Sequence, residues 1–560
     1  MNYLQKELLV DVQEEQILVA VVENGMLMEV YVERELNKRV VGNIYLGLVK
    51  NVLPGMQAAF VDIGLEKNAF LFIEDAESSK NMPDDSFNSS RRNIRDTLKE
   101  GQQILVQVSK EPVGSKGARV TTNITIPGRY TVLMPYAEYV GVSRRIESDQ
   151  EKDRLKKIAS DVKAKDMGIV VRTIAEGAGE KELEADLQNL QAVWAKVEKK
   201  LVKGAVSRIL HKDLDLIQRM VRDFLDEKVS KITVNCPEVK EQIIETMTTL
   251  LTCQQKCNVV YEEGDVLERH SILKQIDQAF NKRVWLKSGA YIVIDQTEAL
   301  TAIDVNTGKY VGKDSLQTTI LNTNLQATVE IAKQLRLRDI GGIIIIDFID
   351  MESSEHEQLV MASLEKELKN DKTKTTIMGV TSLGLVEMTR KKARTGLESL
   401  MLDDCPYCEG KGKVLSIETI AVRAKKRIRS VAEMTQQAAI LIKTNPLVAA
   451  QIIGSNGASL KKLEESIGKT IVVKGEESFH LEHIEVKGIS DKELEAYMPV
   501  KEGDIIDIKV DEPQSGDGQD GIARLNGYVI SIIDGSSFVG EEIKVKIIKA
   551  YKTYARGEKV

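Results

Sequence analysis

The period of the hydrophobic positions changes several times along this chain, and each change marks a different kind of element. Leu183, Leu187, Leu190, Trp194, Val197 and Leu201 are separated by alternating four- and three-residue steps, the spacing of one helix face. That face predicts core packing, with a short coiled coil as the lesser alternative. Upstream, Gly42-Asn43-Ile44-Tyr45-Leu46-Gly47 and Ala58-Ala59-Phe60-Val61-Asp62-Ile63-Gly64 read as strands separated by the turn Leu53-Pro54-Gly55, and strands resume from Gln103 to Val108. Together they predict a small β-barrel, with the polar, turn-rich segment 77–86 as a mobile surface loop. Beyond residue 230 strands and helices alternate, most densely for strands between Ala290 and Asp347. Near the C-terminus, Gly454-Ser455-Asn456-Gly457 separates an apolar run from the helical Ala458 to Ile467, and residues 500–550 return to short strands with glycine turns.

Two of the strand signals carry polar chemistry. In Leu300 to Asn306, a strand sets Ile303 and Val305 on one face and Asp304 and Asn306 on the other. In Gly341 to Asp350, four consecutive isoleucines suit a buried strand that presents Asp347 near its end. Carboxylates brought together by adjacent strands are costly unless compensated, and a divalent cation is the simplest compensation. Magnesium suits an oxygen-only set, because it keeps several waters and binds through one or two carboxylates plus substrate phosphate. Asp304 and Asp347 would hold it, with Asn306 orienting a water. The alternative is structural: salt bridges to Arg336 or Arg338.

Cys405-Pro406-Tyr407-Cys408, followed by glycines, lets two thiolates reach one zinc and supplies half of a tetrahedral site. Two unmetallated surface thiols are the alternative. Cys253 and Cys257, four apart in a Leu- and Ile-rich stretch, read as small buried apolar residues. His480-Leu481-Glu482-His483 lacks the spacing of a zinc-protease helix, and Gly308 to Asp314 lacks the glycine spacing and the hydroxyl residue of a phosphate loop.

Composition adjusts this picture only at the margins. A chain of 560 residues holds several domains, and its hydrophobic and charged contents, 42% and 29%, are those of an ordered globular protein. A net charge of −7 argues against a uniformly basic nucleic-acid binder. Local basic stretches at 390–394 and 423–429 can still contact phosphates, or be solvated helix faces. Five cysteines are too sparse for a disulfide scaffold and agree with a reducing cytoplasm. No signal-peptide core is visible at the start, and the run Ile343 to Ile346 is far shorter than the ~20 residues that span a bilayer.

Ala302-Ile303-Asp304-Val305-Asn306, Gly341 through Met351, Leu385-Val386-Glu387-Met388-Thr389-Arg390 and the Cys405–Cys408 knuckle occur in that order, and this joint pattern resembles the RNase E/G family over about residues 1–490. The resemblance implies a multidomain α+β protein. An RNase H-like domain (1–38 and 220–283) would be interrupted by an OB-fold RNA-binding module (39–123) and a five-prime sensor region (124–219). A DNase I-like catalytic domain (284–404), a zinc link (405–415) and a small domain (416–495) would follow. The implied activity is magnesium-dependent endonucleolytic hydrolysis of single-stranded RNA in mRNA decay and rRNA and tRNA processing, leaving 5′-phosphate and 3′-hydroxyl ends. The family's metal-binding carboxylates fall on Asp304 and Asp347, and its accompanying asparagine on Asn306. The resemblance places RNA-facing aromatics at Phe60 and Phe70, a basic contact at Lys116, and a terminal-phosphate sensor at Arg172 and Thr173, lined by Val132. It also implies a zinc shared by Cys405 and Cys408 of two protomers, hence a homodimer or a dimer of dimers.

One departure is visible: where family members carry a further sensor arginine, Thr381-Ser382-Leu383-Gly384-Leu385 has Ser382. The small domain's glycine turn, with Leu460-Lys461-Lys462-Leu463 after it, resembles a KH motif, against plain helix–turn–helix packing as the alternative. Residues 496–560 resemble a TRAM barrel. No long scaffold tail is visible, which points to the shorter, G-type branch of the family. A non-catalytic RNA-binding scaffold and a DNA nuclease are the competing functions.

Overall fold

The computed structural model describes the whole chain except residues 1–4, 35–38, 77–92, 113–115, 203–207, 226–227, 251–256, 310–314, 393, 497–498, 515–518, 526–527 and 552–553. The expected loop at 77–86 and Cys253 therefore lie outside the described residues. The chain forms two units, 1–402 and 403–560.

In the first unit, Lys6–Val12 pairs antiparallel with Gln16–Glu23 but parallel with Val229–Val234, so that Leu8 lies opposite Ile232. Segments far apart in the sequence thus share one five-stranded sheet. Its strands are apolar on both faces because both are covered. Leu8, Val10, Val19 and Val21 pack against the helix Leu216–Phe224. Leu9, Leu18 and Ala20 pack on the opposite side against Ile272, Ile276 and Leu397.

Between these strands lies a barrel. Ile44–Leu53, Ala58–Asp62, Ala69–Phe72, Arg119–Thr121 and Gln103–Lys110 pair in that order, and Gln103–Lys110 returns to Ile44–Leu53 to close the ring. The strands approach tightly at Gly47, where a Cβ would lie 2.5 Å from Val61 Cγ1, so only glycine fits. A four-stranded sheet follows, packed by the helices Asp149–Val162 and Glu180–Val202. The second helix buries Leu183, Leu187, Leu190, Trp194 and Val197 within this chain, as its spacing predicts, and so is core rather than coiled coil.

The last sheet of the unit orders Arg283–Trp285, Tyr291–Gln296, Leu300–Asn306, Gly342–Asp347, Val386–Arg390 and Thr375–Val380. Helices Leu316–Leu337 and Ser354–Leu368 cover one face, setting Ile331, Leu335, Val360 and Leu364 against Ile292, Ile303, Ile344 and Ile346. The alternate residues of the strands face the other way.

The second unit contains a three-stranded sheet, Thr470–Gly475, Ala439–Thr444 and Ile484–Ile489, and a closed five-stranded barrel from Ile505 to Lys559. Gly454 and Gly457 both adopt positive φ, +70° and +74°, at the turn before helix Ala458–Ile467. Among the described residues no helix is long and apolar enough to cross a membrane.

Candidate functional site

Leu300–Asn306 and Gly342–Asp347 run parallel, and their register sets Asp304 directly opposite Asp347. Both carboxylates stand on the sheet face that the helices leave open. Asn306, two residues along the same strand and so on the same face, donates from Nδ2 to Asp304 Oδ2 at 2.7 Å. The Asp347 carboxyl is pushed above its ordinary range, first by desolvation and then by the negative charges of Asp304 and Asp350. The salt-bridge alternative fails on geometry. Arg336 is held at 2.8 Å by Glu29 and at 3.0 Å by Glu23, while Arg338 donates to Gln334 and to the Asn281 carbonyl. Among the described residues no Lys or Arg pairs with either aspartate, and no three His, Cys, Asp or Glu side chains gather as a complete ligand set. Two adjacent, unneutralised carboxylates fit a hydrated divalent cation that takes its remaining ligands from water and phosphate.

On the barrel, the core face of Ala58–Asp62 and Ala69–Phe72 is filled by Ala59, Val61, Ala69 and Leu71. The intervening phenylalanines are therefore turned outward. Phe60 and Phe70 are register partners, half-buried, with ring centroids 5.4 Å apart in an edge-to-face arrangement. Phe72 extends the row at 4.6 Å from Phe70, and the Arg119 guanidinium lies 4.5 Å from the Phe72 centroid. Neither Phe72 nor Arg119 stands out in sequence, yet alternation from Phe70 would have reached Phe72. Lys116 is exposed, two residues before Ala118, whose carbonyl accepts the Phe70 amide at 2.7 Å.

Val132 pairs with Val170, and Arg172 and Thr173 follow the same strand directly, so these three residues form one neighbourhood. The Arg172 guanidinium is already engaged, by Asp223 at 2.8 Å and by the Gly128 carbonyl at 2.5 Å. The Thr173 hydroxyl lies 2.8 Å from that of Ser143. Ser382 is exposed in the turn between Val380 and Val386.

The basic stretch at 390–394 divides in two. Arg390 and Arg394 turn inward to Asp339, and Arg390 also to Asp371, so only Lys391 and Lys392 remain at the surface for phosphate. In the stretch at 423–429, Arg423, Lys426, Arg427 and Arg429 form the exposed face of helix Ile417–Met434.

Cys405 and Cys408 lie in a tight turn through Glu409, Gly410 and Gly412, all with positive φ. The Gly412 amide donates to Cys408 Sγ at 3.2 Å, and the Cys405 thiol is held below its ordinary range by backbone amides of this turn. Such amide donors stabilise thiolates, the form that binds zinc. Cys257 differs: it packs against a hydrophobic core, and burial pushes its thiol up to about 11.

An outward aromatic row on one barrel, a second barrel, and a paired-carboxylate sheet face describe a multidomain α+β protein with a candidate cation-binding face. The chain belongs to the Ribonuclease E/G family. That family's model matches residues 125–393, the RNase E/G thioredoxin-like domain matches 404–489, and the TRAM domain matches 499–560. The segment with the KH-like turn is thus the one matched as thioredoxin-like. Ribonuclease G of Escherichia coli strain K12 is 41% identical over 483 residues, covering 86% of this chain and 99% of the relative. Ribonuclease G of Haemophilus influenzae is 42% identical over 487 residues with the same coverage. Ribonuclease E of Nostoc is 39% identical over 414 residues, covering 72% of this chain and 59% of the relative.

Proposed function

We propose that this protein is a magnesium-dependent endoribonuclease that hydrolyses single-stranded RNA to 5′-phosphate and 3′-hydroxyl products, acting in the cytoplasm in mRNA decay and rRNA and tRNA processing. The observation that carries the reading is the in-register pair Asp304 and Asp347, without a cationic partner among the described residues, in a chain 41% identical to a Ribonuclease G.

Asp304 and Asp347 would hold the cation, which when bound polarises a phosphoryl oxygen and lowers the pKa of a water. Asn306 fixes the orientation of Asp304 through its amide. Phe60, Phe70 and Phe72 offer edges and faces to unpaired bases, and Lys116 offers positive charge to the backbone, whereas the Arg119 guanidinium is paired with Asp75 at 2.6 Å. Stacking contributes about 1–3 kcal/mol per base and requires bases free of a duplex, which supports a single-stranded substrate. Val132, Arg172 and Thr173 form a weak sensor for a terminal phosphate. Cys405 and Cys408 of two protomers share a zinc and make the protein a homodimer, with a dimer of dimers as the larger assembly. Within this reading the sheet of 6–34 and 229–261 is RNase H-like, the first barrel an OB fold, and the sheet of 283–390 DNase I-like.

The test is cleavage of matched single-stranded RNA, duplex RNA and DNA oligonucleotides, with magnesium and with EDTA. Cutting of single-stranded RNA alone, abolished by EDTA, is expected. RNA binding without cutting would replace the proposal by a scaffold role, and equal cutting of DNA by a general nuclease.

A further inference from the structure

Trp285 is an anomaly of exposure. The chain has two tryptophans. Trp194 is 2% exposed and packs edge-on to Tyr136 at 5.5 Å, whereas Trp285 is 56% exposed. An indole is a large apolar surface, and more than half of this one is open to a ligand.

Strand register says where this ring stands. Directly opposed residues of paired strands share a face, as do alternate residues along each strand. Trp285 lies opposite Tyr291, and Tyr291 lies opposite Asn306. Arg283 lies opposite Val293, which lies opposite Asp304, which lies opposite Asp347. The two rows therefore run side by side across the open face from the edge strand, one ending at Asn306 and the other at the carboxylate pair. Trp285 is two strand spacings from Asn306, roughly 10 Å, about the reach of one or two nucleotides.

The edge group is organised as a platform. Trp285 and Tyr291 meet edge-to-face with centroids 5.2 Å apart. The Arg283 guanidinium lies 4.5 Å from the Tyr291 centroid and 5.9 Å from that of Trp285. Aromatic faces beside a stacked guanidinium match an unpaired base with its phosphate. A duplex would hide the base faces, and a protein strand would find no reason for the cation.

We propose that Arg283, Trp285 and Tyr291 form a second base-stacking platform, which seats an unpaired nucleotide of the RNA substrate beside the carboxylate pair and so aligns the strand across Asp304 and Asp347. This rests on the endoribonuclease reading. It adds a binding site on the catalytic sheet itself, distinct from the phenylalanine row of the barrel.

Tryptophan emission tests it without relying on turnover. In the Asp347→Asn protein, a short single-stranded oligoadenylate should quench the exposed tryptophan saturably, and its duplex with oligouridylate should not. The quench should vanish in Asp347→Asn, Trp285→Phe protein, which retains only Trp194. In the otherwise wild-type enzyme, Trp285→Ala should lower kcat/KM about tenfold, mainly through KM, and Trp285→Phe should retain most of it. The platform is refuted if fluorescein-labelled oligoadenylate binds by anisotropy with no change in tryptophan emission, or if Trp285→Ala cuts like wild type. Failure of the wild-type protein to cut any RNA would instead overturn the endoribonuclease reading, and the quench would still report on the platform.

Discussion

Asn306 Nδ2 donates to Asp304 Oδ2 at 2.7 Å, between two side chains on one face of one strand. The bond fixes the carboxylate's rotation and occupies one of its oxygens, leaving the other oriented for a ligand. Residues that orient a metal ligand typically contribute 10- to 100-fold to affinity or activity. Asn306→Ala is therefore expected to lower cleavage by about that factor and to move the magnesium titration of activity to higher concentration. An unchanged titration would show that Asn306 acts elsewhere.

The position of Asp347 carries a cost to stability. Its carboxyl is raised above the ordinary value of 3.8 by desolvation and by Asp304 and Asp350. The sign follows from linkage: the folded state holds this proton more tightly than the unfolded state, so stability is fullest below the ordinary value. It falls as pH rises through the raised one. At neutral pH, without magnesium, Asp347→Asn should melt at a higher temperature than wild type, and magnesium should stabilise wild type alone. Thermal melts of both proteins with magnesium and with EDTA would show it, and a lower Tm for the variant in EDTA would contradict it.

What the sequence makes legible follows how local its cause is. The period of Leu183 to Val197 and the alternation around Asp304 are properties of single elements, and both are read correctly from spacing. Phe60 and Phe70 would each default to core, and only the resemblance turns them outward. The physical reason is that Ala59, Val61, Ala69 and Leu71 already fill the inner face. Trp285 is invisible because its meaning depends on register across two further strands. Likewise nothing near Lys6 announces that its strand pairs with Val229–Val234. Arg390 shows the limit most clearly: within a run of basic residues it reads as a surface residue, a phosphate contact or part of a solvated helix face, whereas its partners Asp339 and Asp371 are distant in sequence.

Those partners make Arg390 a structural requirement. Its guanidinium binds Asp371 and Asp339, each at 2.7 Å, and all three side chains are at most 4% exposed. Breaking a buried pair leaves a charge without compensation, at a typical cost of about 3–5 kcal/mol. Arg390→Met should lower the Tm of the 1–402 unit by about 4–6 °C, even though Arg394 still reaches Asp339. Calorimetry showing a loss of only a degree or two would mean that the carboxylates find new partners.

Arg172 has a structural partner beside the sensing role proposed for it. Asp223, which also binds Arg222 at 2.8 Å, already engages it at 2.8 Å, and Ser382 supplies no further cation, so discrimination between 5′-monophosphate and 5′-hydroxyl RNA should be modest. Asp223→Asn would release the guanidinium and is expected to increase the kcat/KM ratio of the two substrates, whereas Arg172→Ala should bring it to unity. Ratios insensitive to both substitutions would place the sensor elsewhere or remove it.

The zinc prediction rests on counting ligands. Structural zinc is almost always tetrahedral with four protein ligands, and the turn at Cys405 and Cys408 provides two. Its backbone favours thiolate at Cys405 through amide donors, whereas burial raises the Cys257 thiol to about 11. Cys257 is thus poorly suited to donate, and a second protomer can complete the site by symmetry. Metal analysis should find one zinc per two chains. Cys405→Ala should remove it and shift the sedimenting species toward monomer, while Cys257→Ala should leave zinc content and dimerisation intact. A zinc retained one per chain by a monomer would eliminate the shared site, and a metal-free dimer that survives Cys405→Ala would show that other surfaces hold the subunits together.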